Sequence, residues 1–361
     1  MENHSPILLL PDEILTKILI NIPDLKNTNY ILVNKKFLNT IQWMFNHYEK
    51  LYDSIDENWK EKENVEEILK TLFTSKNNEA IIFLSNNYSN LDKKDYISYY
   101  IGLFDYTELL QYISIKSISA LAYGAAKYGS LHIVDYAICK GASNFEEIAN
   151  GAAERGHLHI VQYAVSKGAK DFNWIAIYAA EGGHLHIVEY AIDKGANYFN
   201  LIAMCASRGG HLHIVEYSVG KGADDFNLIA NGAAEGGHLH IIEYAVSKGA
   251  DNFIRIAMFA AKCCHLHIVQ YMVSKGVNDF NLIAMCAAYG GHLHIVKYAV
   301  ENGADNFREI AINAAYGGHL HIVKYAVENG ADNFRKIAKY ATRACNLHIV
   351  KYIMIIQANK N

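Results

Sequence analysis

The chain has 361 residues, of which 51% are hydrophobic, and its formal net charge is -4. This composition provides a large buried core but not the basic surface that nucleic-acid binding requires, and no apolar run reaches the roughly 18 residues of a membrane span. We therefore predict neither nucleic-acid binding nor membrane insertion. Because residues 1–10 carry no signal-peptide pattern, we expect the six cysteines to be free thiols.

Residues 1–45 predict a helical module. Pro11 suits the first position of a helix, and an apolar stripe at helical spacing follows it until Pro23 breaks the helix. A second apolar helix follows at residues 30–37. Along the chain these segments read Leu-Pro-x-Glu-Ile-Leu at 10–15, Ile-Leu at 18–19, Asp-Leu at 24–25 and Val-x-Lys-x-Phe at 33–37. This order of landmarks resembles an F-box.

The F-box resemblance implies docking on the Skp adaptor of cullin–RING ubiquitin ligases, largely through the Leu-Pro helix. The residues implied to contact that adaptor are Leu10, Pro11, Glu13, Ile14, Leu15, Ile18 and Leu19. The alternative is a plain helical cap over the first repeat, because a solenoid needs a terminal unit with a polar outer face.

Residues 46–117 form a divergent zone, which we predict to be helical or linker in character. A charged stretch at residues 56–67 precedes two apolar segments, 78–84 and 107–113, that look like worn copies of the second helix of a repeat. Degenerate units are expected at the end of a repeat array, because one side of a terminal repeat faces solvent.

From residue 118 onward the chain repeats a unit of 27 residues (158 − 131 = 27). The sequence Leu-His-Ile begins nine times, at Leu131, Leu158, Leu185, Leu212, Leu239, Leu266, Leu293, Leu320 and Leu347. Such a fixed period is typical of stacked repeats. Glycines such as Gly237 and Gly249 divide each unit into two segments of about three helical turns, without strand alternation. We therefore predict an all-α fold, an α-solenoid of helix–turn–helix repeats over residues 118–361.

The second helix of the unit and its flanks resemble an ankyrin repeat. Gly-His-Leu-x-Ile-Val at 291–296, Gly-Ala-Asp at 303–305 and Ala-Ala at 287–288 match that family. The unit is shorter than the usual length of about 33 residues, and the missing residues fall where ankyrin proteins build a β-hairpin finger. We therefore predict short loops. Such shortened units, rich in Asn, Ile, Tyr and Lys, resemble ankyrin-repeat proteins of giant DNA viruses of the mimivirus type.

Comparing the repeats with one another separates a constant frame from a variable face. In the first helix, positions one, two, five, six and nine residues after the starting Phe change freely, and they share one helix face. A solenoid commonly presents such a face to a protein partner, and aromatic residues dominate interface hot spots. The predicted contact residues are Trp174, Tyr178, Ile177, Leu201, Met204, Leu228, Arg255, Met258, Phe259, Leu282 and Met285. The alternatives are neutral drift on a solvated face or packing against the next repeat.

Tyrosine and histidine also recur once or twice per repeat. We interpret the tyrosines, from Tyr136 to Tyr352, as core residues whose hydroxyls reach a polar partner or water, rather than as a track for nucleobases. The two histidines of each His-x-His point about 200° apart around a helix, so they do not converge on one zinc ion. We expect the first near the helix N-terminus, the second exposed, and no bound metal.

The sequence contains no nucleophile–base pair, phosphate loop or carboxylate pair that stands out. We therefore predict a monomeric, non-enzymatic protein without a cofactor that binds protein partners in the cytoplasm, that of a host cell if it is viral. The two resemblances together imply an adaptor that links a target on the solenoid to a host Skp–cullin ubiquitin ligase. The alternative is a plain ankyrin-repeat scaffold or decoy.

Overall fold

The computed structural model describes residues 73–74, 81 and 96–360. The predicted F-box-like module, residues 1–45, lies outside the described residues, as does most of the divergent zone. The described residues fall into two compact units, divided between Gly151 and Ala152.

Between residues 96 and 360 the chain forms nineteen α-helices and one 3₁₀ turn, without a strand. The helices are α1 Tyr96–Leu103, α2 Ile118–Tyr128, α3 Leu131–Cys139, α4 Phe145–Glu154, α5 Leu158–Lys167, α6 Phe172–Glu181, α7 Leu185–Asp193, α8 Phe199–Gly209, α9 Leu212–Lys221, α10 Phe226–Gly236, α11 Leu239–Ser247, α12 Phe253–Lys262, α13 Leu266–Ser274, α14 Phe280–Gly290, α15 Leu293–Glu301, α16 Phe307–Gly317, α17 Leu320–Glu328, α18 Phe334–Arg343 and α19 Leu347–Lys360. This arrangement confirms the predicted all-α fold of stacked helix–turn–helix repeats.

In the first unit, α1 packs against α2 at two glycines. A Cβ atom on Gly124 would lie only 2.0 Å from the carbonyl oxygen of Tyr99, so only glycine permits this approach. Beside this contact, Phe73 packs against three aromatic rings, and the Tyr106 hydroxyl donates a hydrogen bond of 2.8 Å to the carbonyl of Phe73. Aromatic packing and one buried hydrogen bond therefore hold this part of the unit.

The structure corrects one predicted element of the divergent zone. Residues 107–113, interpreted as a worn second helix, instead contain the 3₁₀ turn Thr107–Gln111. Only Leu109 and Ile113 of this segment are buried. Two apolar contacts need no more than a single turn, whereas the second helix of a full repeat buries three positions.

The boundaries of each repeat helix follow from local chemistry. The first helix is capped by Asp or Asn: the Asp225 carboxylate accepts a hydrogen bond of 2.9 Å from the backbone N–H of Leu228. It ends where Gly237 takes a left-handed conformation at φ +83°. The next repeat begins after a short loop, residues 248–252, which confirms the prediction that no β-hairpin finger is formed between these helices.

The second unit has two layers. Successive first helices, from α6 to α18, pack against one another, and each also packs against its own second helix. The first helices bury Ile-Ala and Ala-Ala, and the second helices bury Ile-Val, as at Ile241 and Ile242. Because alanine is small, the backbones of neighbouring first helices come close together. The outward-facing side chains of successive first helices are therefore close neighbours on the surface.

Candidate protein-binding surface

The first histidine of each His-x-His connects neighbouring repeats. His211 is the residue before α9, and its Nε2 lies 3.1 Å from the carbonyl oxygen of Glu181, which ends α6, the first helix of the preceding repeat. The same bond, of 2.9 to 3.2 Å, recurs at His184, His211, His238, His265, His292 and His319. It satisfies a carbonyl that the helix end leaves without an internal partner. The first histidines therefore belong to the constant frame of the repeats.

The environment of these histidines favours the neutral ring. Partial burial lowers the pKa of His184, His211, His238, His292 and His319 below the ordinary value, and the backbone hydrogen bond only partly opposes that effect. A neutral imidazole still donates one N–H, so the inter-repeat hydrogen bond does not require a charged ring.

The second histidine of each pair is exposed, as predicted. At His267, His321 and His348, Nε2 lies 3.2 or 3.3 Å from the carbonyl oxygen of the glycine thirty residues earlier, whereas His294 Nε2 lies 3.9 Å from Cys264 Sγ. Paired rings lie edge to face about 6 Å apart. In the part of the chain that the structure describes, no group of three or more His, Cys, Asp or Glu residues is placed to hold a metal ion. The histidine ladder is thus explained by hydrogen bonding.

The position one residue after the starting Phe is also part of the frame. The side-chain oxygen of Asn227 accepts hydrogen bonds from the backbone N–H groups of Asp251 and Asn252, at 3.1 and 3.0 Å, in the loop before the next repeat. Asn173, Asn200 and Asn281 do the same in their repeats. In these repeats the variability of this position in sequence does not make it a partner-binding position.

The tyrosines that recur once per repeat, from Tyr136 to Tyr352, are half-buried rather than fully buried. This corrects their interpretation as core residues. A lysine ammonium lies over each ring at 5.0 to 5.8 Å in most repeats, with Lys167 over Tyr163 the closest pair. In the last repeats the cation comes from the preceding repeat instead, as Lys297 does over Tyr325. A ring with a cation on its face is poorly placed to stack on a nucleobase.

The structure places the predicted contact residues at three depths. Trp174, Leu201 and Arg255 are exposed; Tyr178, Met204, Leu228, Met258, Phe259, Leu282 and Met285 are half-buried. The structure corrects the prediction for Ile177, which is only 5% exposed and packs inside the fold. Among these residues, position two is therefore more exposed than position five.

Two repeats bring large side chains together at the surface. Trp174 is 49% exposed and lies 6.1 Å from the ring of Tyr178. In the next repeat Tyr198 is 51% and Leu201 is 40% exposed. The backbone of Tyr198 lies beside the start of the Trp174 helix, because its N–H donates a hydrogen bond of 3.0 Å to the side chain of Asn173, the residue before Trp174. We name these four residues, Trp174, Tyr178, Tyr198 and Leu201, the Trp174 cluster.

Tyr198 was not predicted from the sequence. It stands before α8 where other repeats have a capping Asp or Asn, and it makes no capping hydrogen bond with its side chain. That loss of a cap, visible in the sequence, is the signal that could have found it. Tyr198 and Leu201 also line an open surface pocket of about 310 Å³, together with Asn197, Phe199, Asn200 and Gly222.

Position nine forms a separate column at the ends of the first helices. In the middle repeats it is charged: Arg208 pairs with Glu181 at 2.9 Å and approaches Glu235 at 3.8 Å. Two later members are tyrosines, Tyr289 at 38% and Tyr316 at 46% exposure. These tyrosines were not among the predicted contact residues, although the variability of position nine indicated them.

The fold and this surface define a class: an α-solenoid of ankyrin-like repeats with a constant frame and a variable outer face. A family model described as ankyrin repeats (3 copies) matches residues 230–309 and 282–361. Ankyrin repeats are thus detected in the chain, and they imply a scaffold for protein–protein interaction. No curated protein matches the chain. None of the helices among the described residues is long and apolar enough to cross a membrane.

Proposed function

We propose that this chain is a non-enzymatic adaptor whose solenoid captures a protein partner at the Trp174 cluster. One observation carries the proposal: Trp174, Tyr198 and Leu201, three large apolar side chains on two neighbouring repeats, are each at least 40% exposed. A group of large apolar side chains that stays in contact with water is a frequent mark of an interaction site. The half-buried residues of the same face, from Met204 to Met285, would extend the contact along the following repeats.

The energetics favour these residues as anchors. Aromatic side chains bury about 150–250 Å² each and lose little rotamer freedom when they bind. The cluster is also held by its repeats, since Asn173 fixes the loop that carries Tyr198. Truncating one such anchor typically costs about 2 kcal/mol of binding free energy, which is roughly a 30-fold loss of affinity.

The test is affinity capture from cell cytosol with quantitative mass spectrometry, using the full chain and the variant Trp174→Ala/Leu201→Ala. A partner bound through the cluster should be captured at least tenfold less by the variant. The control is Tyr128→Ala, which removes a tyrosine that is 52% exposed elsewhere in the chain. Equal capture by all three proteins would reject the cluster as the binding site.

We propose as a second function that the N-terminal module docks on a Skp-type adaptor, so that the captured target is presented to a cullin ubiquitin ligase. The support is the ordered set of F-box landmarks between residues 10 and 37. Domain limits of 1–45, 46–117 and 118–361 belong to the same proposal. The alternative is a plain scaffold or decoy in which residues 1–45 are only a cap.

Co-precipitation with a purified Skp-type adaptor separates these alternatives. The adaptor should bind the full chain and be lost when Leu10 and Pro11 are both changed to alanine. If binding persists, the assigned surface is wrong, and if the unaltered chain does not bind, the F-box interpretation is wrong. A plain cap predicts that deleting residues 1–45 lowers solubility without removing any partner.

A further inference from the structure

A second group of exposed side chains lies toward the other end of the second unit. Lys262, Tyr289 and Tyr316 occupy position nine at the ends of α12, α14 and α16, and Tyr340 and Arg343 follow on α18. We name these five residues the tyrosine–cation patch. They form one continuous row, because each member contacts the next, either across a repeat boundary or, for Tyr340 and Arg343, along α18.

The distances within the row show how it is built. Lys262 Nζ lies 5.3 Å from the centre of the Tyr289 ring, and the rings of Tyr289 and Tyr316 stack with their centres 6.0 Å apart. The Tyr340 ring meets Tyr316 edge to face at 6.4 Å, and the Arg343 guanidinium lies 5.4 Å from the centre of Tyr340. A cation therefore stands at each end of a column of three tyrosines.

The charge around the row is one-sided. Position nine is acidic in three of the four preceding repeats, at Glu154, Glu181 and Glu235, but holds no carboxylate from Lys262 onward. The last repeat, residues 334–361, has no Asp or Glu. Its basic residues are Arg335, Lys336, Lys339, Arg343, Lys351 and Lys360. On α18, Lys336, Lys339 and Arg343 are exposed at helical spacing and so share one face. On the helix of Tyr316, the acidic residue Glu309 lies about two turns before it, and the last acidic residue at position nine is Glu235, one repeat before Lys262.

From this geometry we infer that the tyrosine–cation patch binds an acidic peptide segment, one with successive Asp or Glu side chains. Lys and Arg pair with carboxylates through charge-assisted hydrogen bonds, and a tyrosine hydroxyl adds a neutral donor. Because the rings support one another and the cations, the patch is largely ordered before a ligand arrives, which lowers the cost of binding. The inference rests on the proposed protein-binding role and gives the chemistry of a second partner segment.

The arrangement favours a peptide over single-stranded nucleic acid. A base binds by stacking on an open aromatic face. Tyr289 has Lys262 from the preceding repeat and Tyr316 from the following repeat against its ring, and Tyr316 is covered in turn by Tyr289 and Tyr340. Ring edges and hydroxyls are therefore what the patch presents, and these suit carboxylates better than base faces.

The test is fluorescence anisotropy with the full chain and three labelled probes of equal length: a peptide of mixed Asp and Glu, the matching Asn and Gln peptide, and a single-stranded oligonucleotide. The acidic peptide should bind at least tenfold more tightly than the neutral peptide. Its dissociation constant should rise with salt, because exposed ion pairs are screened. An oligonucleotide that binds as tightly as the acidic peptide would overturn the inference, and so would equal binding of the two peptides.

Variants locate the site. Lys339→Glu/Arg343→Glu should weaken binding of the acidic peptide at least tenfold, and Tyr316→Phe should weaken it less than Tyr316→Ala because the stacked ring remains. The charge-matched control, Lys194→Glu/Lys221→Glu, alters two exposed lysines, one directly after α7 and one at the end of α9, and should bind like the unaltered chain. If both double variants lose binding equally, only net charge matters and the patch is rejected. Circular dichroism checks that each variant is folded.

The acidic-peptide site and the Trp174 cluster can be refuted independently of each other. Trp174→Ala/Leu201→Ala should leave binding of the acidic peptide unchanged, while the Lys339→Glu/Arg343→Glu variant should still capture the partner of the Trp174 cluster. Loss of the peptide in the first variant would mean that the patch is not an independent site.

Discussion

Replacing His238 by alanine should lower the free energy of unfolding by about 1–2 kcal/mol. The His238 Nε2 lies 3.1 Å from the carbonyl oxygen of Arg208, and one such hydrogen bond contributes about 1 kcal/mol net. The ring also packs on Gly210, where an added Cβ atom would lie only 2.7 Å from its Cε1. Losing this half-buried contact adds on the order of 0.5–1 kcal/mol.

The chain itself offers two matched variants. His240 is exposed on the same helix, so His240→Ala should stay within about 0.5 kcal/mol of the unaltered chain. His238→Asn should recover much of the loss, because the last repeat already has Asn346 at this position. The Asn346 side-chain nitrogen donates to the carbonyls of Ala315 and Tyr316 at 2.9 and 3.1 Å.

The assay is unfolding in urea followed by far-ultraviolet circular dichroism at about pH 7.5, where histidine is mostly neutral. A repeat array can unfold in parts, so the first transition should be compared as well as the midpoint. If His238→Ala and His240→Ala unfold at the same urea concentration, the hydrogen bond between repeats contributes nothing measurable. If His238→Asn is no better than His238→Ala, packing of the ring alone explains the effect.

Three further predictions concern the frame. Partial burial lowers the pKa of five first histidines when the chain is folded, so the unfolded chain binds more protons below about pH 6.5. Urea midpoints should therefore fall as the pH drops from about 7.5 to about 5, and a flat profile would contradict this. Cys264 has φ +73° at a position where most repeats have glycine, so Cys264→Gly should stabilise the chain by about 1 kcal/mol in urea unfolding. Cys263→Gly should not, because Cys263 has φ −103°. Gly183→Ala should lower the free energy of unfolding by about 1–3 kcal/mol more than Gly195→Ala. Both glycines have positive φ, but only a Cβ atom on Gly183 would meet a side chain, that of His211 at 2.5 Å. Equal urea midpoints of the two variants would refute the clash.

The repeat fold was predictable because its signals are local. The starting Phe, the capping Asp or Asn and the glycine that ends the first helix lie within eleven or twelve residues of one another, and each has a single-residue cause. The 27-residue period of the sequence then predicted the position of each later helix. The prediction of short loops succeeded for the same reason, since the missing residues could be counted.

The roles of individual positions could not be predicted as well, because their partners lie in another repeat. Asn227 and Leu228 are neighbours in sequence and both vary between repeats, yet one holds a loop 24 residues ahead and the other faces outward. Ile177 and Met204 occupy the same position in successive repeats, but only Ile177 is buried. Such differences depend on contacts with neighbouring repeats, which a single-repeat pattern does not contain.

The separation of frame and face explains how this solenoid can vary without losing its fold. The carbonyl at position nine bonds to a histidine of the next repeat, so the contact uses the backbone of position nine and leaves its side chain open to change. The same bond is therefore made at Glu181, Arg208, Lys262 and Tyr289, four residues with different charge and shape. Because this hydrogen bond does not depend on these side chains, one end of the column can be acidic and the other aromatic and basic while the bond between repeats is kept. The most constant residues thus stabilise the array, while binding specificity can reside in side chains that stacking leaves free.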